Sequence, residues 1–221
     1  MTGDDRFAGT IDWDSFWAAH RESDLDPGNA ASVSQGKEVL LERFIDRTGV
    51  PDRIAVVGCG PGHLPAALAR SYPDTAVVGY DAARSIVRRN RRDYADLENL
   101  EFEEAVLPAF DVADDFDLVY SYATVHYVEA ALAAIEAMYA ALRTGGHLIV
   151  NYPNEKTRAV YAQAEDPQLV GRFAAVIAGE SVLSAEQIAT ALDRDVRDFW
   201  VEVDADGPFV RETNPCLVVR R

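Results

Sequence analysis

Lysine is nearly absent from this chain: among its 221 residues the ammonium groups are Lys37 and Lys156, and the remaining basic side chains are arginines. Cysteine is as scarce, and the pair Cys59 and Cys216 has the spacing of neither a disulfide framework nor a structural zinc site. No apolar run reaches membrane-spanning length, and the opening MTGDDRFAGTIDWD is acidic and polar where a secretory leader is basic and then apolar. These absences point to the cytoplasm and away from a membrane. Positive charge is in deficit too, with 21 basic against 37 acidic residues and a net charge of −16. Such a surface repels phosphate backbones, so no nucleic-acid partner is expected. The acids are spread along the chain and not gathered in one run. They read as halophile-like adaptation to high salt in preference to a site for cationic partners.

What is present is enough apolar and aromatic material, 48% and 10% of residues, for one α/β core. From residue 53 onward, short β-rich runs alternate with helical patterns. IAVVG at 54–58, TAVVGYD at 75–81, LEFEEA at 100–105, FDLVYSY at 116–122 and GHLIVNY at 146–152 read as five buried strands. Leu64, Ala67 and Leu68 mark one intervening helix, and Ser85 to about Tyr94 a second. Val128 to Leu142 reads as a third, closed by Thr144, Gly145 and Gly146. The alternation predicts a mostly parallel sheet covered by helices on both faces. Ser184 with Glu186 and Gln187 has the form of a capping box. The β-rich runs at 196–203 and 216–219, with an Asp206–Gly207 turn signal between them, predict an antiparallel hairpin at the sheet edge. Residues 1–50 read as an N-terminal helical extension, with Trp13, Phe16 and Trp17 at helical spacing and a second amphipathic pattern from Val39 to Ile45. Residues 51–221 form one domain, and 154–182 look like a helical insertion over the C-terminal edge of the sheet.

Two features carry chemistry. Gly58, Cys59, Gly60, Pro61 and Gly62 follow the first strand and open a helix. Glycines there allow a tight turn and close backbone approach to a ligand, and N–H groups at the helix start attract a carboxylate or phosphate. A nicotinamide-type loop places its third glycine where this chain has His63, which argues against a dinucleotide. Asp81 ends the second strand, where a carboxylate can accept from both hydroxyls of a ribose; the alternative is an N-cap for a helix beginning at Ala82.

With these residues in order the chain resembles the class I S-adenosylmethionine-dependent methyltransferases. The motifs are IAVVGCGPG, VVGYD, EFEEAVLPAF, FDLVYSYATVHYV and LRTGGHLIV, and the resemblance covers roughly residues 50–152. It implies a Rossmann-like three-layer α/β sandwich, its seven-stranded sheet ending in the antiparallel hairpin, with S-adenosyl-L-methionine as cofactor. Carried over, Gly58, Cys59, Gly60 and Gly62 would bracket the methionine part, and Asp81 with Ala82 would hold the ribose. Glu104 would accept from the adenine amino group, with Ala105 and Val106 against the ring. Ser121 and Tyr122 would border the methionine amine and the transferring methyl, Tyr122 on the catalytic side. The family has an acid two residues before the first glycine, and this chain has Val56 there.

His126 follows the fourth strand, where the resemblance places the acceptor; it is a candidate general base, orienting group or packed core histidine. His63 and His147 fit a loop–helix junction and a strand start, and His20 has no assignable role. Trp13, Trp17 and Tyr127 either line the cofactor cavity, where aromatic faces suit a sulfonium, or pack a core. No metal site is expected, and nothing fixes an oligomeric state. SYATVHYV lacks the Asn/Asp-Pro-Pro-aromatic signature of nucleobase or glutamine methylation, so a small-molecule methyl acceptor leads. The rivals are a nicotinamide oxidoreductase, disfavoured by His63; an aminopropyltransferase, for which no acid cluster is placed; and an inactive S-adenosylmethionine-binding protein, which Val56 would suit.

Overall fold

The computed structural model describes residues 7–19, 37–112, 115–205 and 208–221; His20 and the Asp206–Gly207 turn lie outside them. The five apolar runs become β1 (Arg53–Val57), β2 (Ala76–Asp81), β3 (Leu100–Glu104), β4 (Phe116–Ser121) and β5 (Leu142–Asn151), all parallel. β6 (Val196–Asp198) and β7 (Cys216–Arg220) complete the order β3-β2-β1-β4-β5-β7-β6, with β7 antiparallel to both neighbours. This is the expected Rossmann-like sheet. The central strands are buried on both faces and so read as continuous apolar runs, whereas the edge strand β3 exposes Glu101 and Glu103.

Each sheet face carries its own apolar cluster. On one face α2 (Lys37–Thr48), α3 (His63–Ser71) and α4 (Arg84–Asp93) pack through Phe44, Leu68 and Ile86 onto Val56 and Tyr120. On the other, α5 (Ala131–Ala140) and α9 (Ala185–Leu192) pack through Ile135, Met138 and Ile188 onto Ala55, Val57 and Val119. Strand alternation therefore decides which of two neighbouring valines faces which layer. Ser184 caps α9, its side chain accepting from the Gln187 N–H while the Gln187 side chain accepts from the Ser184 N–H.

Two sequence expectations need correction. The helix after β4 stops at Ala140, and β5 begins at once with Leu142. Gly145 and Gly146 lie inside the strand, beside a register shift between β4 and β5. A Cβ on Gly146 would sit 2.8 Å from the Phe116 carbonyl oxygen, so that glycine permits close strand contact and does not end a helix. The Arg221 guanidinium donates to the carbonyls of Ala140 and Leu142 and takes over the role of a helix stop. The edge strand is also shorter than its apolar run. Asp198 accepts from the Trp200 and Val201 N–H groups and turns Phe199–Glu202 into helix α10.

The segment after β5 folds as α6 (Glu155–Tyr161), α7 (Pro167–Arg172) and α8 (Ala174–Ala178), started by an Asn154–Thr157 capping box and by Asp166 before Pro167. The aromatic N-terminal pattern forms α1 (Trp13–Ala18), capped by Asp12. A last short helix, α11 (Pro208–Thr213), leads into β7.

Candidate active site

The chain leaves β1 toward β2 on one side and reaches β4 on the other. A crevice therefore opens outside the C-terminal ends of β1 and β4, the switch point where open α/β sheets bind ligands. The cavity of about 170 Å³ found there is floored by Val57, Gly58, Gly60, Asp81 and Ala82, bordered by Ala105, Val106, Tyr122 and Thr124, and covered by Trp13, Phe16, Trp17, Tyr127 and Arg172.

The floor is fixed by backbone hydrogen bonds. Gly58 and Cys59 both donate to the Tyr80 carbonyl (2.8 and 2.9 Å), Gly60 to Asp81 Oδ2 (2.8 Å) and Gly62 to the Cys59 carbonyl (3.1 Å). The N–H groups of Gly58, Cys59, Gly60 and Gly62 are thus spent on β2 and on the loop itself, ahead of the α3 start at His63. Gly58, Gly60 and Gly62 take φ of 73°, 49° and 79°, folding the chain back onto its neighbour strand. What the loop offers a ligand is close approach. Asn90 of α4 donates to the Gly60 carbonyl (2.7 Å) and steadies it from below. A Cβ on Gly58 would lie 2.1 Å from Thr124 Oγ1, so the loops after β1 and β4 are in direct contact. Ala123, next to Thr124, is held at φ 53° by its N–H bond to Asn151 Oδ1 (3.1 Å). An alanine there stores strain in the cavity wall.

Asp81 is 7% exposed. Burial pushes its carboxyl up to about 6, against N–H groups of Ala83, Gly60 and Ala82 that pull it down and Asp14, which adds to the rise. The Ala83 N–H reaches Oδ1 at 2.9 Å. Asp81 is not the N-cap of a helix beginning at Ala82, because α4 starts at Arg84. The open first turn of α4 is capped from α1, where Asp14 Oδ1 accepts from the Ser85 N–H (2.9 Å) and hydroxyl (2.7 Å). That bond also seats the aromatic helix on the site.

Not every expected residue faces the cavity. Cys59 is buried with Gly79 and Phe102 beneath the loop, and burial raises its thiol pKa. Gly62 lies under the rings of Phe102 and Tyr94, which a Cβ would approach to 2.9 Å; packing explains it. Glu104 pairs with Arg84 at 2.8 Å outside the cavity lining, which leaves Ala105 and Val106 on that wall. Ser121 is buried, its hydroxyl without a partner among the described residues. His126 is 3% exposed, with Nδ1 likewise unpartnered, and does not line the cavity. Burial, with Lys37 nearby, pushes its pKa down to about 3, so it is a neutral imidazole behind the wall. Val56 packs in the apolar cluster on the opposite face from Val57, so the position where the family has an acid is core here. Tyr122 lines the cavity beneath the Lys37 ammonium, 3.2 Å above its ring; burial brings that ammonium down to about 7.

The cover is aromatic. Trp13 meets Phe16 (5.3 Å) and Tyr127 (4.9 Å), and Phe16 meets Trp17 (5.1 Å). Tyr127 meets Phe173 (5.2 Å), which stacks on Tyr161 (3.7 Å). The rings join α1, the turn after β4 and the helices after β5 into one roof. Sequence reasoning missed Thr124 and Arg172, whose positions depend on contacts distant in sequence. It passed over Phe16 as a ligand wall, although Phe16 shares the helical spacing of Trp13 and Trp17.

Comparison with known proteins agrees with this geometry. Residues 54–146 match the family described as methyltransferase domain. Trans-aconitate 2-methyltransferase of Rhodopseudomonas palustris (strain BisB5) is 30% identical over 104 residues, 47% of this chain and 40% of that protein. The Streptomyces coelicolor protein of the same name is 31% identical over 118 residues, 52% of this chain and 39% of that one. The chain thus spans less than half the length of these curated relatives. The N-methyltransferase NodS of Bradyrhizobium japonicum WM9, solved with S-adenosyl-L-homocysteine, superposes with a TM-score of 0.62 at 17% identity, covering 98% of this chain and 97% of that one. The plantazolicin methyltransferase BamL gives 0.65 at 11% identity, with 98% and 97% covered. Among the described residues no helix is long and apolar enough to cross a membrane, and no cluster of side chains could hold a metal ion. A glycine loop locked onto β2, an acid at the end of that strand, the seven-stranded order and the matched domain agree with one another: residues 54–146 are a methyltransferase domain, in a chain similar to the class I S-adenosylmethionine-dependent methyltransferases.

Proposed function

We propose that this chain binds S-adenosylmethionine in the cavity beyond β1 and β4 and transfers its methyl group to a small-molecule acceptor. The observation that carries the reading is Asp81: a buried carboxylate fixed by two backbone N–H bonds, in one cavity with a glycine floor and an aromatic roof. Its remaining lone pairs suit a pair of ribose hydroxyls, at about 1.5–3 kcal/mol per charge-assisted bond. Ala82 borders the ribose, Ala105 and Val106 give an apolar wall for a purine, and Gly58 and Gly60 let the methionine chain approach the backbone. Trp17 and the neighbouring rings present π-faces to a cation. When bound, the cofactor supplies a methyl carbon already activated by a sulfonium, so the chain's task is alignment more than acid–base work. Tyr122 is then a wall that positions the acceptor, and His126 supports that wall from behind.

A net charge of −16 supports a small molecule over a nucleic acid. Two buried free thiols, Cys59 and Cys216, suit a reducing compartment such as the cytoplasm. The acceptor named for the curated relatives, trans-aconitate, is the first to assay. Calorimetric titration with S-adenosyl-L-homocysteine tests the reading: the wild type should bind it, and Asp81→Asn should bind it at least about tenfold more weakly. A wild type that does not bind, or a variant of equal affinity, would sink it.

A further inference from the structure

We propose that Arg172 is a specificity-determining residue, placed to pair with a carboxylate on the methyl acceptor. The inference rests on the reading of the cavity as a methyl-transfer site and names the acceptor's chemical class.

Acids outnumber bases 37 to 21 in this chain, and many of its arginines are paired: Arg47 with Asp204, Arg84 with Glu104, Arg89 with Asp93, Arg143 with Asp117. Arg172 makes no ion pair with any described residue, and it lines the cavity. Its guanidinium lies over the Phe16 ring, 4.9 Å from the centroid. The residue after it, Phe173, is buried between Tyr127 and Tyr161. The backbone at the end of α7 is therefore anchored on one side and the guanidinium rests on a ring on the other. A guanidinium resting on a ring keeps its N–H donors in its own plane, the fork that matches a carboxylate with two parallel bonds.

Asp81 and Arg172 are the two charged side chains among the described lining residues. They come from β2 and from the segment after β5, strands three places apart in the sheet. Asp81 already accepts backbone N–H bonds and has its role in the proposed cofactor site, so it does not serve Arg172. A half-buried guanidinium on an aromatic wall, with no ion-pair partner among the described residues, is a group that an incoming anion would pair with. The planar guanidinium fork matches the two coplanar oxygens of a carboxylate, a pair that the probe acids trans-aconitate and cinnamate both present, whereas a phosphomonoester is tetrahedral and doubly charged. The other source of a carboxylate is the cofactor itself, and the experiment separates the two.

Release of S-adenosyl-L-homocysteine from S-adenosylmethionine would be followed with trans-aconitate, cinnamate, cinnamamide, cinnamylamine and phenyl phosphate as acceptors. We expect turnover with at least one of the two carboxylates and none with the amide, the amine or the phosphate. Arg172→Gln should raise the KM of that carboxylate at least about tenfold. The kcat and the affinity for S-adenosyl-L-homocysteine should stay within about threefold, and Arg172→Lys should recover part of the loss because it keeps the charge without the fork. Equal turnover of the amide, amine or phosphate would overturn the proposal. So would loss of S-adenosyl-L-homocysteine affinity in Arg172→Gln, which would give the residue to the cofactor. A wild type that binds S-adenosyl-L-homocysteine but turns over neither carboxylate also overturns it, whereas one that does not bind it overturns the cofactor reading as well.

Discussion

Beneath the cavity, Gly58, Cys59 and Gly60 direct their N–H groups to Tyr80 and Asp81, whereas above it Trp13, Phe16, Tyr127 and Phe173 meet through ring faces. The floor is a continuation of the sheet, each atom placed by a directional bond to a strand. The roof consists of helices of five to seven residues, too short to be stable alone and held by contact with each other and with the turn after β4. A site that must hold one invariant cofactor and admit a variable acceptor suits this division. The floor gains precision from backbone geometry; the roof can open or re-pack at the expense of a few ring contacts.

The contrast breaks most visibly at Gly58. Alanine there has to take a left-handed φ, at about 1–2 kcal/mol, and its methyl would fall 2.1 Å from Thr124 Oγ1. We expect Gly58→Ala to cost roughly 2–5 kcal/mol in urea unfolding, through strain and overpacking together. Adding Thr124→Gly should recover the part due to the clash and leave the part due to φ. A loss below about 1 kcal/mol would show that the floor is as yielding as the roof.

Asp81 sharpens the comparison because the floor is strained at the residue proposed to hold the ribose. Burial raises its folded pKa from 3.8 to about 6. Below the lower value the group is protonated in both states and contributes nothing. As pH rises through the interval the folded state holds the proton more tightly than the unfolded one, so stability falls, by roughly 3 kcal/mol once above the folded pKa. Asp81→Asn removes that dependence. The wild type should therefore gain melting temperature relative to the variant between pH 7 and pH 4.5. Its affinity for S-adenosyl-L-homocysteine should weaken below about pH 6, a limb the variant lacks. Parallel melting curves across that range would remove the strain from Asp81.

The floor was legible in sequence and the roof was legible only in part, for the same physical reason. IAVVG, VVGYD and FDLVYSY are runs whose period and glycines fix a strand, a tight turn and an acid at the strand end, and local pattern suffices for these. The first misreadings fall where a distant partner decides: Arg221 supplies the end of α5, and Asp198 converts a β-rich run into α10. Glu104, which the family resemblance sets at the adenine, pairs with Arg84 outside the cavity lining, and His126, a candidate base, is sealed behind the wall. Arg172 shows no signal in the sequence, because its meaning lies in resting on Phe16, more than 150 residues away by number.

The gentlest test acts on the roof. Phe173 is 7% exposed and bridges Tyr127 to Tyr161, so Phe173→Ala removes two ring contacts of about 0.5–1.5 kcal/mol each. In a close-packed core the same change costs about 3–5 kcal/mol and lowers the unfolding midpoint of the whole molecule. The roof helices are tied to the rest by few backbone bonds, among them Leu183 N–H to the Pro153 carbonyl (2.9 Å), and by Ser181 Oγ to the His126 carbonyl (3.3 Å). The loss should then stay local. Hydrogen exchange should accelerate across residues 155–178 while amides of β1 and β4 keep their protection, and global unfolding should shift by less than about 1 kcal/mol. Affinity for S-adenosyl-L-homocysteine should hold within about threefold, because the contacts proposed for it lie chiefly in the floor. A midpoint that fell as for a core phenylalanine, with β1 and β4 amides exchanging faster in step, would make roof and floor one cooperative body. The acceptor would then have to enter without the roof parting from the sheet.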